Sequence, residues 1–527
     1  MPRRSVADHM APVVHAFLGA DPPVTVRFWD GSAVGPAAGA SGVTLVVRSR
    51  RALRRMLWAP GELGLARAYV AGEIDVDGDV YALLELRNRM AAHDAGVHVG
   101  LDRRGIAELA RAALAVGALG PPPRVPPEEV RLHGTPHSKA RDASAVRSHY
   151  DVGNDFYRLV LGPTMTYSCA YWDDGVGTLD EAQEAKYEHI CRKLGLQPGM
   201  RLLDVGCGWG GMVLHAAREY GVKAVGITLS PPQQALAARR VEAAGLSGSV
   251  EIRVQDYRDL AGERFDAISS IGMFEHVGQA KLREYAAALY SVLEPGGRLL
   301  NHGISRPAGP PPLSPRSFIN RYVFPDGELH EVGAVVTVLQ QAGFEVRDVE
   351  SLREHYARTL RSWVANLETH WDEAAAVAGA ARARIWRLYM AGSAVNFEEG
   401  RTMIHQVLGV RQGPMGASGM PATRRSWYRS PATSAVTGDA APGRLTGDAA
   451  RAAAAGGDLG TRPAHGGNGD GAHTVAERAR GGAEAGGDGD GGAEAGGEGS
   501  GGAEAGGDGG GGSAQAGAAG DGGRANT

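Results

Sequence analysis

The stretch Leu202 to Gly211 reads LLDVGCGWGG. An apolar run (Leu202, Leu203, Val205) carries an acid at Asp204 and then breaks into Gly206, Gly208, Gly210 and Gly211. Residues 212–220 follow with the apolar spacing of a helix. Buried strand, glycine turn and helix in that order make the first half of a Rossmann-type unit. Glycine has no Cβ, so such a turn lets the backbone approach a ligand closely. No Lys follows the glycines, which excludes a phosphate cradle of the P-loop kind. A tight turn without a ligand is the plainer alternative; four glycines beside a strand-end acid speak against it.

Working outward, strands are expected over 201–205, 223–228, 250–255, 265–271 and 297–302, with helices over 232–244 and 281–292 between them. That alternation predicts an α/β unit with a parallel sheet covered on both faces. Nearer the amino terminus, 24–29 and 43–47 read as short strands and 50–69 as helix. Residues 73–86 read as a strand or turn running into a helix.

At 527 residues the chain exceeds one ordinary domain. Fifty-five basic and 59 acidic residues leave a formal charge of −4, so no nucleic-acid footprint is present at the whole-chain level. Lysine occurs only at 139, 186, 193, 223 and 281; the other basic residues are Arg. Cys169, Cys191 and Cys207 lack CxxC spacing, which argues against a disulfide framework or a structural metal and fits a reducing cytoplasm. Asp8, His9 and His15 interrupt the semi-apolar amino terminus, against a cleaved signal peptide. With no run of about 18 uncharged apolar residues, no transmembrane helix is expected, and a lipid would be reached from the membrane surface.

Composition and pattern divide the chain into a smaller α+β amino-terminal unit (1–125), a Pro-rich linker (126–139), an α/β unit (140–412) and a Gly/Ala-rich tail (413–527). Residues 481–510 repeat GGAEAGGDGD with a period of ten. Such a tract has almost nothing large to bury, so disorder is expected. An acidic tether and a tolerated low-complexity expansion are both open readings of it.

A glycine loop alone implies a cofactor and not a reaction. Five further segments narrow the chemistry: HYDVGNDFY (149–157), TMTYSCAYW (164–172), IGMFEHVG (271–278), LLNHGIS (299–305) and EHYARTLRSW (354–363). In open α/β sheets ligands sit beyond the carboxyl ends of the strands, which places Glu275 and His302 toward the glycine-loop crevice. Together with the DxGCGxG loop these segments resemble the cyclopropane fatty acid synthase and mycolic acid methyltransferase family, within the class I S-adenosylmethionine-dependent methyltransferases. The resemblance covers residues 140–412 strongly and the amino-terminal region more weakly. An amino-terminal unit is closer to the bacterial phospholipid enzymes than to the mycolate enzymes.

The resemblance implies a Rossmann-like seven-stranded sheet with a helical lid over an apolar acyl-chain tunnel. The implied reaction is attack of a cis double bond on the sulfonium methyl group, then loss of a proton and closure of a cyclopropane ring. An alkene is a poor nucleophile and water captures carbocations, so the site needs dryness, aromatic faces and a positioned base. In the family that base is a bicarbonate ion. Matched motif by motif, its holders here are Cys169, Glu275, His302, the backbone of Ile304, and Tyr356. For S-adenosylmethionine the matches are Tyr167 and Ser168 at the methionine end, then Asp204, Gly206, Cys207 and Gly208 in the loop. Thr228, Leu229, Ser230 and Gln233 follow the second strand, and Asp256 with Tyr257 lie toward the adenine. The second strand does not end in the ribose-binding acid common among methyltransferases, and Gln233 takes that role by resemblance.

Other residues carry plainer readings. Cys207 and Cys191 read as packing residues, and His149 and His276 as structural hydrogen-bonding groups as readily as site residues. Arg48, Arg50, Arg51, Arg54 and Arg55, interleaved with Leu53, Met56, Leu57 and Trp58, form a basic amphipathic stretch. It reads either as a docking face for anionic lipid or as a solvated helix face. The expected setting is cytoplasmic, peripheral to the inner face of the membrane, on unsaturated phospholipid, with a homodimer as a further expectation. A methylene-branched product, which a partner reductase would saturate, remains open because NHGIS departs from the commoner residues around His302. A small-molecule N- or O-methyltransferase would need only the cofactor loop. A non-enzymatic lipid-binding protein would need neither the intact loop nor the full ion-holding set.

Overall fold

The computed structural model describes residues 4–37, 42–85, 103–130, 134–135, 137–150, 152–309 and 314–428. Near the amino terminus four short strands, β1 (Thr25–Phe28), β2 (Ala33–Val34), β3 (Val43–Val47) and β4 (Ile74–Gly78), lie in the order β2-β1-β3-β4. Val26, Phe28, Val47 and Ile74 bury their side chains against Val13, Leu53 and Leu109 of the flanking helices. The helix expected over 50–69 is two helices, Arg50–Trp58 and Glu62–Val70. Pro60 and Gly61 separate them, with Gly61 at φ +93°, a conformation glycine adopts without strain.

The basic stretch is not uniformly a surface feature. Arg55 is buried; its guanidinium donates to both oxygens of Glu73 (2.9 and 3.2 Å) and to the Arg124 carbonyl (2.8 Å). Arg54 donates to the carbonyls of Ala118 and Leu119. Both therefore tie the second helix to the segment before the linker, and of the five arginines only Arg48, Arg50 and Arg51 remain exposed, with Trp58 exposed beside them.

The larger sheet has seven strands: β5 (Arg201–Val205), β6 (Lys223–Thr228), β7 (Val250–Val254), β8 (Phe265–Ile271), β9 (Leu293–Ser305), β10 (Glu345–Ser351) and β11 (Met403–Val410). Their order is β10-β11-β9-β8-β5-β6-β7, parallel from β9 to β7, with β11 antiparallel to both neighbours. Leu202, Leu203 and Val205 are fully buried, as a strand covered on both faces requires. From β5 the chain builds outward to β7, then returns to β8 on the other side of β5. Strand order reverses there, and the carboxyl ends of β5 and β8 open a crevice. Strand β9 begins at Leu293, ahead of the strand expected from 297, and takes in Pro295, Gly296 and Gly297.

A helical layer of Asn154–Leu161, Arg353–Thr369, Trp371–Ala378 and Ala380–Glu398 covers this edge around Phe156, Trp363, Trp386 and Met390. The linker is anchored: Glu129 accepts two bonds from Arg67 (2.7 and 2.8 Å) and one from Tyr322, which belongs to the α/β unit. Residues 413–428, assigned by composition to the tail, pack against the α/β unit. Trp427 is buried, and Arg424 pairs with Asp348 of β10 at 2.7 Å. The repeats of 481–510 lie outside the described residues.

Candidate active site

The glycine loop folds as its composition requires. Gly206, Gly208 and Gly210 have φ of +78°, +54° and +81°, and a Cβ on Gly211 would stand 2.1 Å from the Tyr187 hydroxyl. The loop forms the floor of a crevice. Tyr167, Ser168, Asp204, Gly206, Cys207, Gly208, Thr228, Leu229, Gln233, Asp256 and Tyr257 all border it. Ser230 does not; its hydroxyl caps the Pro231–Ala243 helix by accepting from the Gln233 amide. Thr228 Oγ1 donates to Gln233 Oε1 at 2.8 Å, which fixes the Gln233 amide at the end of β6. Burial raises the Asp204 carboxyl to about 6, although Ser269 donates to it at 2.7 Å. Cys207 packs against Gly226, where a Cβ would come within 2.9 Å of it. Cys191 is a core residue. His149 Nδ1 bonds the Val323 carbonyl, whereas His276 borders the crevice.

None of the ion-holding candidates is among the residues that border that crevice. The Ile304 amide donates to Glu275 Oε1 at 2.6 Å, joining the turn after β8 to β9. Glu275 Oε2 is buried without a hydrogen-bond partner, and so is His302 Nε2. Opposite His302 on β11, Gln406 lies within 3.3 Å of Nδ1. Its amide donates there, which leaves the proton on the orphaned Nε2. Burial pushes Glu275 up to about 7 and holds His302 well below the usual imidazole range. Cys169 is fully buried; its thiol faces the carbonyls of Ala170 and Leu352, and burial raises its pKa well above the usual thiol range. Leu352 precedes the helix that carries Tyr356, whose ring packs on Phe397 and Trp363.

At the crevice Tyr167 belongs to a cluster of aromatic rings. Tyr167 has Tyr157, Trp363 and Trp386 within 5.8 Å between ring centroids and donates to the Tyr389 hydroxyl at 3.2 Å. Tyr389, Gln406 and the buried Lys186 escaped the sequence reading. Lys186 carried one signal, a lysine among Ala182, Gln183, Tyr187 and Ile190 on the buried side of its helix.

A sequence profile described as mycolic acid cyclopropane synthetase matches residues 137–407. A probable fatty acid methyltransferase of Mycobacterium tuberculosis is 43% identical over 418 residues, spanning 77% of this chain and 95% of the relative. A tuberculostearic acid methyltransferase of the same organism is 32% identical over 404 residues, 74% of this chain and 88% of the relative. The cyclopropane-fatty-acyl-phospholipid synthase of Escherichia coli is 42% identical over 238 residues, 45% of this chain and 60% of the relative. With the profile spanning the seven-stranded sheet, the crevice and the ion-holding candidates, this chain belongs to the mycolic acid cyclopropane synthetase family of S-adenosylmethionine-dependent methyltransferases.

Proposed function

We propose that the protein transfers the methyl carbon of S-adenosylmethionine to a cis double bond in the acyl chain of an unsaturated phospholipid, leaving a cyclopropane ring. The observation that carries this reading is the pair of orphaned, buried polar atoms, Glu275 Oε2 and His302 Nε2, in a site whose crevice-bordering Tyr167 sits among aromatic rings. A methyltransferase acting on an amine or hydroxyl needs no such pair. Buried polar atoms without partners are costly, and a small oxyanion between them would satisfy both. Neutral His302 offers an N–H, and Glu275, near 7, offers a proton in its acid form. Bicarbonate fits this donor set, with Cys169 and Tyr356 beside it and the Ile304 amide acting through the Glu275 carboxyl it holds, and would supply the base that accepts the proton from the methylated chain. The rings around Tyr167 favour positive charge on the acyl carbons and keep water out.

In the crevice the glycine loop and Gln233 would hold the cofactor, which supplies an electrophilic sulfonium methyl. Among the described residues no helix is long and apolar enough to cross a membrane. The reading therefore has the enzyme working on lipid from the cytoplasmic membrane surface.

The methyl-branched product stays as a second reading for one reason. The tuberculostearic acid methyltransferase is similar along 74% of this chain, the phospholipid cyclopropane synthase along 45%. Mass spectrometry of fatty acid methyl esters from cells expressing the chain tests both. A gain of about 14 mass units that survives hydrogenation and opens in acid marks the ring. The same gain followed by about 2 more mass units on hydrogenation marks a methylene branch, a gain of about 16 marks the saturated methyl branch, and no new acyl species refutes both.

A further inference from the structure

Lys186 lies on the Leu179–Leu194 helix, fully buried, and borders the crevice beside Ser168 and Asp204. Its Nζ donates to Ser168 Oγ at 2.8 Å and stands 4.3 Å from the centre of the Tyr187 ring. An ammonium carries three donors; among the described residues Ser168 Oγ is the acceptor it reaches. Of the titratable groups facing it, Asp204 is the one acid, and among the described residues it makes no ion pair or hydrogen bond with Lys186. Cys169 is a buried thiol, His302 on β9 is neutral, and Asp204 on β5 is raised to about 6 and already takes the Ser269 hydroxyl. Tyr187 bonds Thr166 at 2.6 Å and burial keeps its hydroxyl protonated. A cation buried in such surroundings is costly until an anion joins it, and burial brings the Lys186 amine down to about 7.

The neighbouring groups are set for that anion. Gln183 Nε2 holds the Ser168 carbonyl at 3.0 Å. The Ser168 hydroxyl, having accepted from Lys186, keeps its own proton to donate toward the crevice. We propose that Lys186 is the counter-ion of the α-carboxylate at the methionine end of S-adenosylmethionine, acting through Nζ and through the Ser168 hydroxyl. Asp204 then faces the α-ammonium, so a buried acid and a buried base flank the loop as the complement of a zwitterion. This rests on the reading that the glycine-loop crevice holds the cofactor. Above pH 7 the amine takes up a proton as the carboxylate arrives, because the new anion favours the charged form.

Titration calorimetry of the full chain, with S-adenosylmethionine and decarboxylated S-adenosylmethionine, tests this without turnover. At pH 8 the wild type is expected to bind the carboxylated ligand at least tenfold tighter. It should also take up a fraction of a proton, read from buffers of different ionisation enthalpy. Lys186→Met is expected to weaken the carboxylated ligand at least tenfold, to leave the decarboxylated one within twofold, and to abolish the uptake. Equal losses for both ligands, or no loss, overturn the assignment. Should the variant fail to fold, the wild type decides alone: equal affinity for the two ligands and no proton uptake overturn it. Binding of neither ligand overturns the crevice reading as well.

Discussion

Replacing Glu275 with Gln should raise stability at alkaline pH while removing turnover. Burial lifts this carboxyl from 4.5 to about 7. Between those values the folded chain holds a proton that the unfolded chain has released. The penalty is therefore nearly absent below 4.5, grows as pH rises through the window, and is constant above 7. At about 1.36 kcal/mol for each pH unit of that window, its full size is on the order of 3 kcal/mol. The substituted amide would be neutral throughout and would keep an oxygen for the Ile304 amide. Its unpartnered NH2 costs about 1–3 kcal/mol, independent of pH. The stability of Glu275→Gln relative to wild type should thus climb by about 2–3 kcal/mol between pH 5 and pH 8.5. Urea unfolding of both chains across that range measures it. Product formation should fall by about a hundredfold or more, the usual scale for a lost proton-transfer group, with S-adenosylmethionine affinity unchanged. A stability difference that does not vary with pH would falsify the buried-carboxyl argument. Near-normal turnover would remove Glu275 from the site.

Arg55→Gln should destabilise the chain by about 3–5 kcal/mol, because it strands Glu73 as a buried, unpaired charge; a shift in the unfolding midpoint within error of zero would contradict the pairing. Arg50→Gln with Arg51→Gln touches only exposed positions. If that face docks on lipid, the pair should weaken sedimentation with anionic vesicles by about thirtyfold, at about 1 kcal/mol each; unchanged sedimentation returns the stretch to a solvated helix face. Truncation after Tyr428 should leave turnover on vesicles within a few-fold of the full chain. Trp427→Ala should cost about 3 kcal/mol of stability, and a neutral result would show that the buried ring is not an anchor.

The parts of the molecule legible in sequence are those where one local rule decides. Largely apolar runs gave β5, β6 and β8 to the residue, since a strand buried on both faces has little other composition open to it. Strands β10 and β11 went unread because each carries a buried polar residue that only a distant partner permits. Asp348 needs Lys193 and Arg424, and Gln406 needs His302. Pattern reading counts such residues as exposed. The same blindness sent Arg55 to the surface and put the tail's start at 413, ahead of the buried Trp427. Motif matching found the candidate site residues because their order along the chain is fixed. It could not separate Ser230, a helix cap, from the crevice residues beside it.

The candidates divide between two adjoining spaces, and the chain joins them through three consecutive residues. Tyr167 stands in the aromatic cluster, Ser168 meets Lys186 at the crevice, and the Cys169 thiol turns inward to Leu352. Tyr167 and Ser168 border the crevice while Cys169 does not, so one short segment meets both sets of candidates. Methyl transfer to an alkene requires this kind of division. The donor's amino-acid end is a zwitterion that needs charged partners, whereas the acceptor is a hydrocarbon that becomes a cation and needs dryness. On the proposed reading Asp204 and Lys186 meet the first demand, and the orphaned Glu275 and His302 together with the aromatic rings meet the second. A Ser168→Ala chain should accordingly lose affinity for S-adenosylmethionine while a Glu275→Gln chain keeps it, and equal losses in both would show that the two spaces are one.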